Sequence, residues 1–301
     1  MSITRQNLSV IIVSYKSENV IENCINSIDP EIEIIVIDNS NNNEMKKKVE
    51  AKYKNVRCIL SKENLGMGAG NNLGIKNINK DFAFILNPDV ILEKDSLNEI
   101  FSVSKEIDDF AIIAPISNKN EFPNYILKKN HNFDSIKPFK VKSVDGFAML
   151  LNLKKLNKFE IFINHKYFDE NIFMYLENDD LCKRLNNLGE NIFIVPKSKI
   201  THLGAKAVDN RYIKEIELSR NWHWLWSKFY YNKKHYGFFF ALLNGLPSFI
   251  SASIKFLLYL LIMNNEKSKI YFNRMLGFTN ALIGKRSHYR PKLNNSNDLE
   301  N

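Results

Sequence analysis

LSVIIVSYKSENVIENCINSIDPEIEIIVID, residues 8–38, contains one complete strand–helix–strand period. Leu8–Tyr15 is a near-continuous β-branched run, the pattern of a strand covered on both faces. Val20, Ile21, Cys24, Ile25 and Ile28 then recur at helical spacing, and Ile32–Ile37 is a second buried strand ending in Asp38-Asn39-Ser40. The alternation continues outward. Residues 44–54 predict a charged helix, 56–60 a strand, and 64–72 an Asn/Gly-rich turn that opens another helix. The strand at 81–86 stops at Asn87-Pro88-Asp89, because Pro88 has no N–H to extend a ladder. A helix over 95–107, a strand over 110–116 and a basic excursion over 118–142, irregular or a hairpin, follow. Residues 143–151 return to strand character with a break at Gly146, 177–188 form an acid-headed helix, and 191–195 form a last strand. Such alternation predicts an α/β fold around a mostly parallel sheet flanked by helices.

Composition narrows the classes. With 301 residues, 45% hydrophobic and 25% charged, the chain can bury a core, which excludes wholesale disorder. Three cysteines with no C-x-x-C exclude a disulfide scaffold and a zinc ribbon, and fit a reducing cytosol. The N-terminal apolar run is too short for a signal peptide, so the protein is expected to stay on the side of the membrane where it is made. The net charge of +9 lies wholly beyond residue 204, where fifteen Lys and Arg face six Asp and Glu. Within RNWHWLWSKFYYNKK (220–234), Trp222, Leu225, Trp226 and Phe229 share a helical face beside Lys228, Lys233 and Lys234. Aromatics beside basic residues suit a lipid headgroup layer, although the same stripe would also serve as a helix core. Residues 237–263 carry a single charge, Lys255; their length allows one transmembrane helix, and the preferred reading is a monotopic pair of membrane-associating helices broken near Gly245–Pro247. The aliphatic content argues for lipid and against nucleic acid. The organisation expected is a nucleotide-binding domain over 1–204, a membrane-associating region over 205–284 and a frayed polar tail over 285–301.

Ligands of open α/β sheets bind beyond the carboxyl ends of the strands. Ser14-Tyr15, Asp38-Asn39-Ser40 and Asn87-Pro88-Asp89 all fall at such ends. Asp38 can accept from a nucleobase or ribose, or can cap its own turn. Gly66-x-Gly68 lacks the third glycine of a dinucleotide fingerprint and follows the third strand, so an Asn/Gly loop wrapping a nucleotide or sugar is the preferred reading. Asp89 suits a divalent cation neutralising a diphosphate, with Glu177, Asp179, Asp180 and His202 as possible company. Glu177 and Asp180 share a helical face, and Arg184 follows Asp180 at i+4, so one carboxylate can be structural and another free for chemistry.

The stretches SVIIVSYKS, IIVIDNSNN, NLGMGAGNNLGI, FILNPDV, DGFAMLL, FDENIFMYLENDDLCKRL and NIFIVPKSKITHLG, in this order over residues 8–204, resemble the inverting family 2 glycosyltransferases of GT-A fold, in particular a rhamnosyltransferase-like bacterial subgroup. The resemblance implies nucleotide contacts at Ser14, Tyr15 and Asp38, and a donor side lined by Asn64, Gly66 and Asn72. It implies Mg²⁺ or Mn²⁺ at Asp89 near His202, with Asp89 the one acid left of a D-x-D motif. Asp145 and Gly146 would face the acceptor. In the family's E-D-x-D-L motif the second position supplies the base; here Asn178 stands there, and an amide takes no proton at neutral pH. Glu177 is then the first candidate, followed by Asp180 and Asp179. The implied reaction moves a sugar from a nucleoside diphosphate, such as dTDP-rhamnose or a UDP-sugar, to a glycan or lipid-linked glycan at the cytoplasmic side of the cytoplasmic membrane. A non-catalytic membrane-docking or glycan-binding relative and a sugar nucleotidyltransferase are the alternatives.

Overall fold

The computed structural model describes residues 2–107, 109–118, 123–129, 133–204, 208 and 210–291. The first alternations fold as predicted, giving β1 (Leu8–Ser14), α1 (Ile21–Asn26), β2 (Glu33–Asp38), α2 (Asn43–Lys52), β3 (Val56–Leu60), α3 (Gly66–Lys76) and β4 (Phe82–Leu86). Then come β5 (Val90–Leu92), α4 (Ser96–Glu106), β6 (Ile112–Ser117), β7 (Tyr125–Leu127), β8 (Phe139–Val144), β9 (Ala148–Asn152) and the single turn α5 (Leu153–Leu156). The acid-headed helix is α6 (Glu177–Asn187), and β10 (Ile192–His202) runs to the late histidine. Among the described residues the strand order is β3-β2-β1-β4-β9-β6-β10-β8-β7, with β5 on β10.

The sheet is mixed, which corrects the mostly parallel expectation. β1, β2, β3 and β4 pair in parallel, as do β6 and β10, but β9 lies antiparallel between β4 and β6. Residues 143–151 are two strands that do not pair with each other. They run in the same direction, β8 antiparallel to β10 and β9 antiparallel to β4 and β6, so each enters the sheet against the parallel strands beside it.

Alternation along the strands feeds two cores. Val10, Ile12, Ile34 and Val36 pack with residues of α1, α2 and α4, while Ile11, Val13, Ile35 and Ile37 pack with residues of α3 and α6. The glycine run belongs mostly to the second core. It is helix from Gly66 on, not a wrapping loop. A Cβ on Gly74 would lie 2.3 Å from Ile11 Cγ2, and one on Gly70 would lie 2.9 Å from Val13 Cγ1. These glycines bring α3 close against β1.

The chain divides into two compact units, residues 1–170 with 177–209, and residues 171–176 with 210–301. The second unit is built on α7 (Ile213–Tyr236), α8 (Phe238–Leu261) and α9 (Asn265–Leu282). Three expectations change here. Trp222, Leu225, Trp226 and Phe229 are buried with Phe278 and Ala281, so this aromatic stripe is a helix core and not a lipid-facing surface. α8 runs unbroken through Pro247. Its small residues hold it against its neighbours, and a Cβ on Gly245 would come 2.4 Å from Phe278. Packing offsets the hydrogen bond that the proline removes. Finally, the described part of the expected frayed tail is anchored: Trp226 Nε1 donates to the Lys285 carbonyl at 3.0 Å, and His223 Nε2 lies 2.9 Å from the Tyr289 carbonyl. Burial pushes His223 down to about 3, so it is neutral, donating to Tyr289 and accepting from Ser287 at Nδ1. Residues 292–301 lie outside the described residues.

Candidate active site

Ser14 ends β1 directly opposite Asp38 at the end of β2, and the Asn39 amide donates to the Ser14 carbonyl at 2.8 Å. Asp38 is buried, and burial raises its carboxyl above the usual range. Its two oxygens accept from the backbone amides of Ser40 (3.1 Å) and Asn42 (2.6 Å), which is the capping alternative: Asp38 braces the turn. Tyr15 and Lys16 follow on this turn, with the Lys16 amide donating to Ser40 Oγ at 2.6 Å. Asn39 ties the turn to α3, donating from Nδ2 to the Gly66 carbonyl at 3.1 Å and accepting from Ser61. Asn64 Oδ1 accepts from the Gly66 amide, and Gly66 sits at φ +81°, where a side chain is strained. Asn72 lies further along α3. Its amide group is committed to the Phe168 backbone and to Glu170, and it pins that segment to α3.

A second cluster surrounds Asp89. The Asn87 amide donates to the Phe147 carbonyl at 2.9 Å, Phe147 stacks on His202 at 4.2 Å, and His202 Nε2 lies 3.4 Å from Asp89 Oδ2. The Leu203 amide donates to the Asp89 carbonyl, closing the ring. Asp89 is only 2% exposed, and its Oδ1 has no hydrogen-bond partner. Ser14 Oγ, Asn87 Oδ1 and Glu177 Oε2 are likewise buried without a partner. Buried polar atoms are nearly always paired, so this group at one edge of the sheet points to a ligand.

The acids sort themselves by contact. Asp180 is fully buried and accepts from Arg184 Nε at 2.8 Å, while Arg184 also donates to the Tyr167 carbonyl. This pair braces α6 against the segment at Tyr167. Asn178 donates to the Val144 carbonyl at 2.8 Å, and Gly146 leaves room for it, since a Cβ there would be 3.2 Å from Asn178 Cβ. The amide at 178 therefore anchors the turn that carries Asp145. An aspartate could not donate this bond. Asp145 is exposed, yet its carboxyl is pushed up to about 6, first by lost solvation and then by Asp179, with His202 opposing. Asp179 is half-buried and raised by burial, against a stabilising bond from Ser143. Burial pushes Glu177, at the head of α6, up to about 7.

The structure thus joins Asp89, His202, Asp145, Gly146 and the head of α6 in one network, and Ser14, Tyr15, Asp38, Asn64 and Gly66 in a neighbouring one on β1, β2 and α3. Asn72 and Asp180 are held instead by contacts to Phe168, Glu170 and Arg184. Asn39 and Phe147 were missed as organising residues. Both sit inside motifs already singled out, but a polar or aromatic residue there gives no sequence signal of its bridging role. A cavity of about 450 Å³ beside Asn7, Lys80 and Asp81 lies at the opposite ends of the strands and belongs to neither network.

The family description "Glycosyl transferase family 2" matches residues 9–178, more than half of the chain. The chain belongs to glycosyl transferase family 2. It is similar to the low-salt glycan biosynthesis hexosyltransferase Agl10 of Haloferax volcanii, 30% identical over 209 residues, covering 62% of this chain and 64% of that one. It is also similar to the rhamnosyltransferase WbbL of Escherichia coli K12, 27% identical over 226 residues, covering 64% and 82% of the two chains. The chain thus spans just under two thirds of the length of the first relative. Among solved structures, the mannosyltransferase PcManGT of Pyrobaculum calidifontis, in complex with GDP-Man and Mn²⁺, superposes with a TM-score of 0.55 at 11% identity, over 92% of this chain and 87% of that one. TarS 1–349 of S. aureus with UDP-GlcNAc gives 0.52 at 15% identity, over 94% and 93%. These likenesses show the GT-A fold.

The fold family implies a divalent cation, and this family 2 chain can accommodate one in a limited way. Asp89 Oδ1 is an unpartnered, buried carboxylate oxygen beside an imidazole. Among the described residues no group of three or more His, Cys, Asp or Glu gathers anywhere. The donor set fits a cation that takes most of its ligands from phosphate and water, as Mg²⁺ commonly does.

Proposed function

We propose that this protein is an inverting glycosyltransferase that moves a hexosyl or deoxyhexosyl group from a nucleoside diphosphate to a hydroxyl of a glycan or lipid-linked glycan, in cell-surface polysaccharide assembly. The observation that carries this reading is the ring Asn87–Phe147–His202–Asp89. It sets a buried, unpartnered carboxylate oxygen next to the turn bearing Asp145. The names of the two relatives, a hexosyltransferase and a rhamnosyltransferase, support the sugar class, with dTDP-, UDP- and GDP-sugars as donors to test.

In this reading the strand-end turns at Ser14-Tyr15 and Asp38–Ser40 receive the nucleotide, and Asn64 and Gly66 shape the adjoining wall. Asp89 and His202 hold Mg²⁺ or Mn²⁺, which when bound supplies charge neutralisation for the departing diphosphate. The acceptor oxygen bonds to the anomeric carbon as the bond from that carbon to the diphosphate oxygen breaks. The proton of the acceptor hydroxyl passes to Asp145. One displacement inverts the configuration.

Asp145 is preferred over Glu177 because a base must first be reachable by the hydroxyl, and Asp145 is exposed where Glu177 is buried. Asp179 keeps Asp145 basic, and Asn178 holds its turn in position. The reaction takes place at the cytoplasmic side of the cytoplasmic membrane, to which the helical unit attaches. The test is release of nucleoside diphosphate from a panel of donor sugars, in the presence of membrane extract as acceptor. Asp145→Asn should lower kcat by ~10²–10⁴-fold, the usual worth of a general base. Undiminished transfer by Asp145→Asn would remove this base. Nucleotide binding without turnover in the wild type would leave the non-catalytic alternative.

A further inference from the structure

We infer that α8 lies flat in one leaflet of an anionic membrane, as an in-plane anchor, and does not cross it. This extends the membrane reading above and rests on the helical unit alone.

α8 is apolar on two faces. One face, through Ala241, Gly245 and Ala252, is buried within the unit. The other carries Phe239, Leu243, Leu246, Ile250, Ile254, Leu257 and Leu261 at spacings of three or four, one stripe along the whole helix. At 1.5 Å per residue it is about 33 Å long. Every one of these side chains is exposed, from Phe239 at 79% and Leu243 at 71% to Leu261 at 82%, and Met263 just beyond stands at 86%. A continuous exposed apolar stripe of this size marks an interaction surface.

Charge selects the occupant. From Leu218 to Asn265 there is no Asp or Glu, while Arg220, Lys228, Lys233, Lys234 and Lys255 fall in the same span. Lys233 and Lys234 are exposed just before the stripe begins, and Lys255 is exposed beside Ile254. An apolar stripe edged by cations and free of carboxylates complements an anionic lipid surface. A self-complementary protein contact would set these like charges against each other.

Geometry decides between lying and crossing. The helix is long and apolar enough to span a bilayer. Its middle, however, is flanked by cations: Lys228 Nζ of α7 lies 3.5 Å from Ser248 Oγ, and Lys255 sits over the Tyr271 ring of α9 at 5.4 Å. Arg274 of α9 bonds Asn221 of α7 at 2.9 Å, and Lys214 pairs with Glu266 at 2.5 Å. A crossing α8 would carry these groups into hydrocarbon, where charges are expensive. Lying flat, it buries the stripe and leaves α7 and α9 in water.

The test uses the full chain and vesicles without donor sugar, so its failure is separable from failure of the transferase reading. Wild type should float with vesicles of phosphatidylcholine containing about 30% phosphatidylglycerol, and less with phosphatidylcholine alone. Leu243→Glu with Ile254→Glu should lower the vesicle-bound fraction roughly tenfold or more, with an unchanged far-UV spectrum and unchanged nucleoside diphosphate binding. The native thiols are buried, so a fluorophore can be placed selectively at Phe239→Cys, Ile250→Cys or Leu261→Cys. Quenching by nitroxide lipids should report the same shallow depth at all three. A deep maximum at 250 with shallow ends would overturn the in-plane anchor in favour of a span. Failure to float, with a sedimenting dimer that the Glu substitutions dissociate, would replace the membrane by a second copy of the chain.

Discussion

Asp180→Asn separates structure from chemistry within the acidic run. Asp180 is fully buried, and its partner Arg184 is only 16% exposed, also bonds the Tyr167 carbonyl and lies over the Phe162 ring at 5.2 Å. Substitution by the isosteric amide leaves a confined guanidinium without its counter-charge. Breaking a buried pair in this way costs ~3–5 kcal/mol. The residual exposure of Arg184, and the ability of Asn Oδ1 to accept from Nε, place the expected loss near the low end, about 3 kcal/mol. For a unit of this size that is a fall in Tm of roughly 6–12 °C. Thermal unfolding followed by circular dichroism measures it, with diphosphate release assayed well below the transition. Activity of the folded fraction should stay within a few-fold of wild type. Adding Arg184→Met should restore much of the lost stability, because it removes the stranded cation. A variant as stable as wild type but slowed a hundredfold would refute the reasoning and return Asp180 to the chemistry.

Glu177 gives a pH signature. Its folded value of about 7 lies above the ordinary 4.5, so the folded state keeps a proton that the unfolded chain releases, and stability should fall as pH rises from about 4.5 to 7. The total is about 3 kcal/mol, and Glu177→Gln should flatten that slope in urea titrations across pH and be the more stable protein at pH 8. Asp145 should appear as an ascending limb of kcat/KM near pH 6, measured by diphosphate release and absent from Asp145→Asn. Gly277→Ala should destabilise the helical unit by ~1–3 kcal/mol or more, since its Cβ would fall 1.9 Å from the Trp222 carbonyl oxygen and backbone must move to admit it; a calorimetric scan checks this.

Local patterns were legible where one rule governs. β1, β2, β3 and β4 follow from β-branched runs between turns, and α6 follows from its acids and its i, i+4 Asp180–Arg184 pair. What depended on non-local contacts was not. Nothing in Ser143–Leu151 reveals that β8 pairs with β10 while β9 inserts between β4 and β6, because insertion is decided by partners elsewhere in the chain. Trp222, Leu225, Trp226 and Phe229 read equally as a lipid face and as a core, and only α9, whose Phe278 and Ala281 cover them, decides. In the site, the strand-end acids could be placed by position but not by function. Asp38 turns inward to Ser40 and Asn42, Asn72 to Phe168, and Asp180 to Arg184. Asn178, an apparent defect in the motif, is explained by the Val144 carbonyl that it reaches.

The most direct test is a thermal-shift titration of UDP, GDP and dTDP with and without Mn²⁺, on wild type and on Asp89→Asn. A nucleoside diphosphate at about a hundred times its Kd should add ~2.7 kcal/mol of stability. At least one of the three should stabilise the wild type in an Mn²⁺-dependent way, and that stabilisation should be lost in Asp89→Asn. Stabilisation by none of them, or an equal shift in Asp89→Asn, would contradict a diphosphate site at Asp89 and His202.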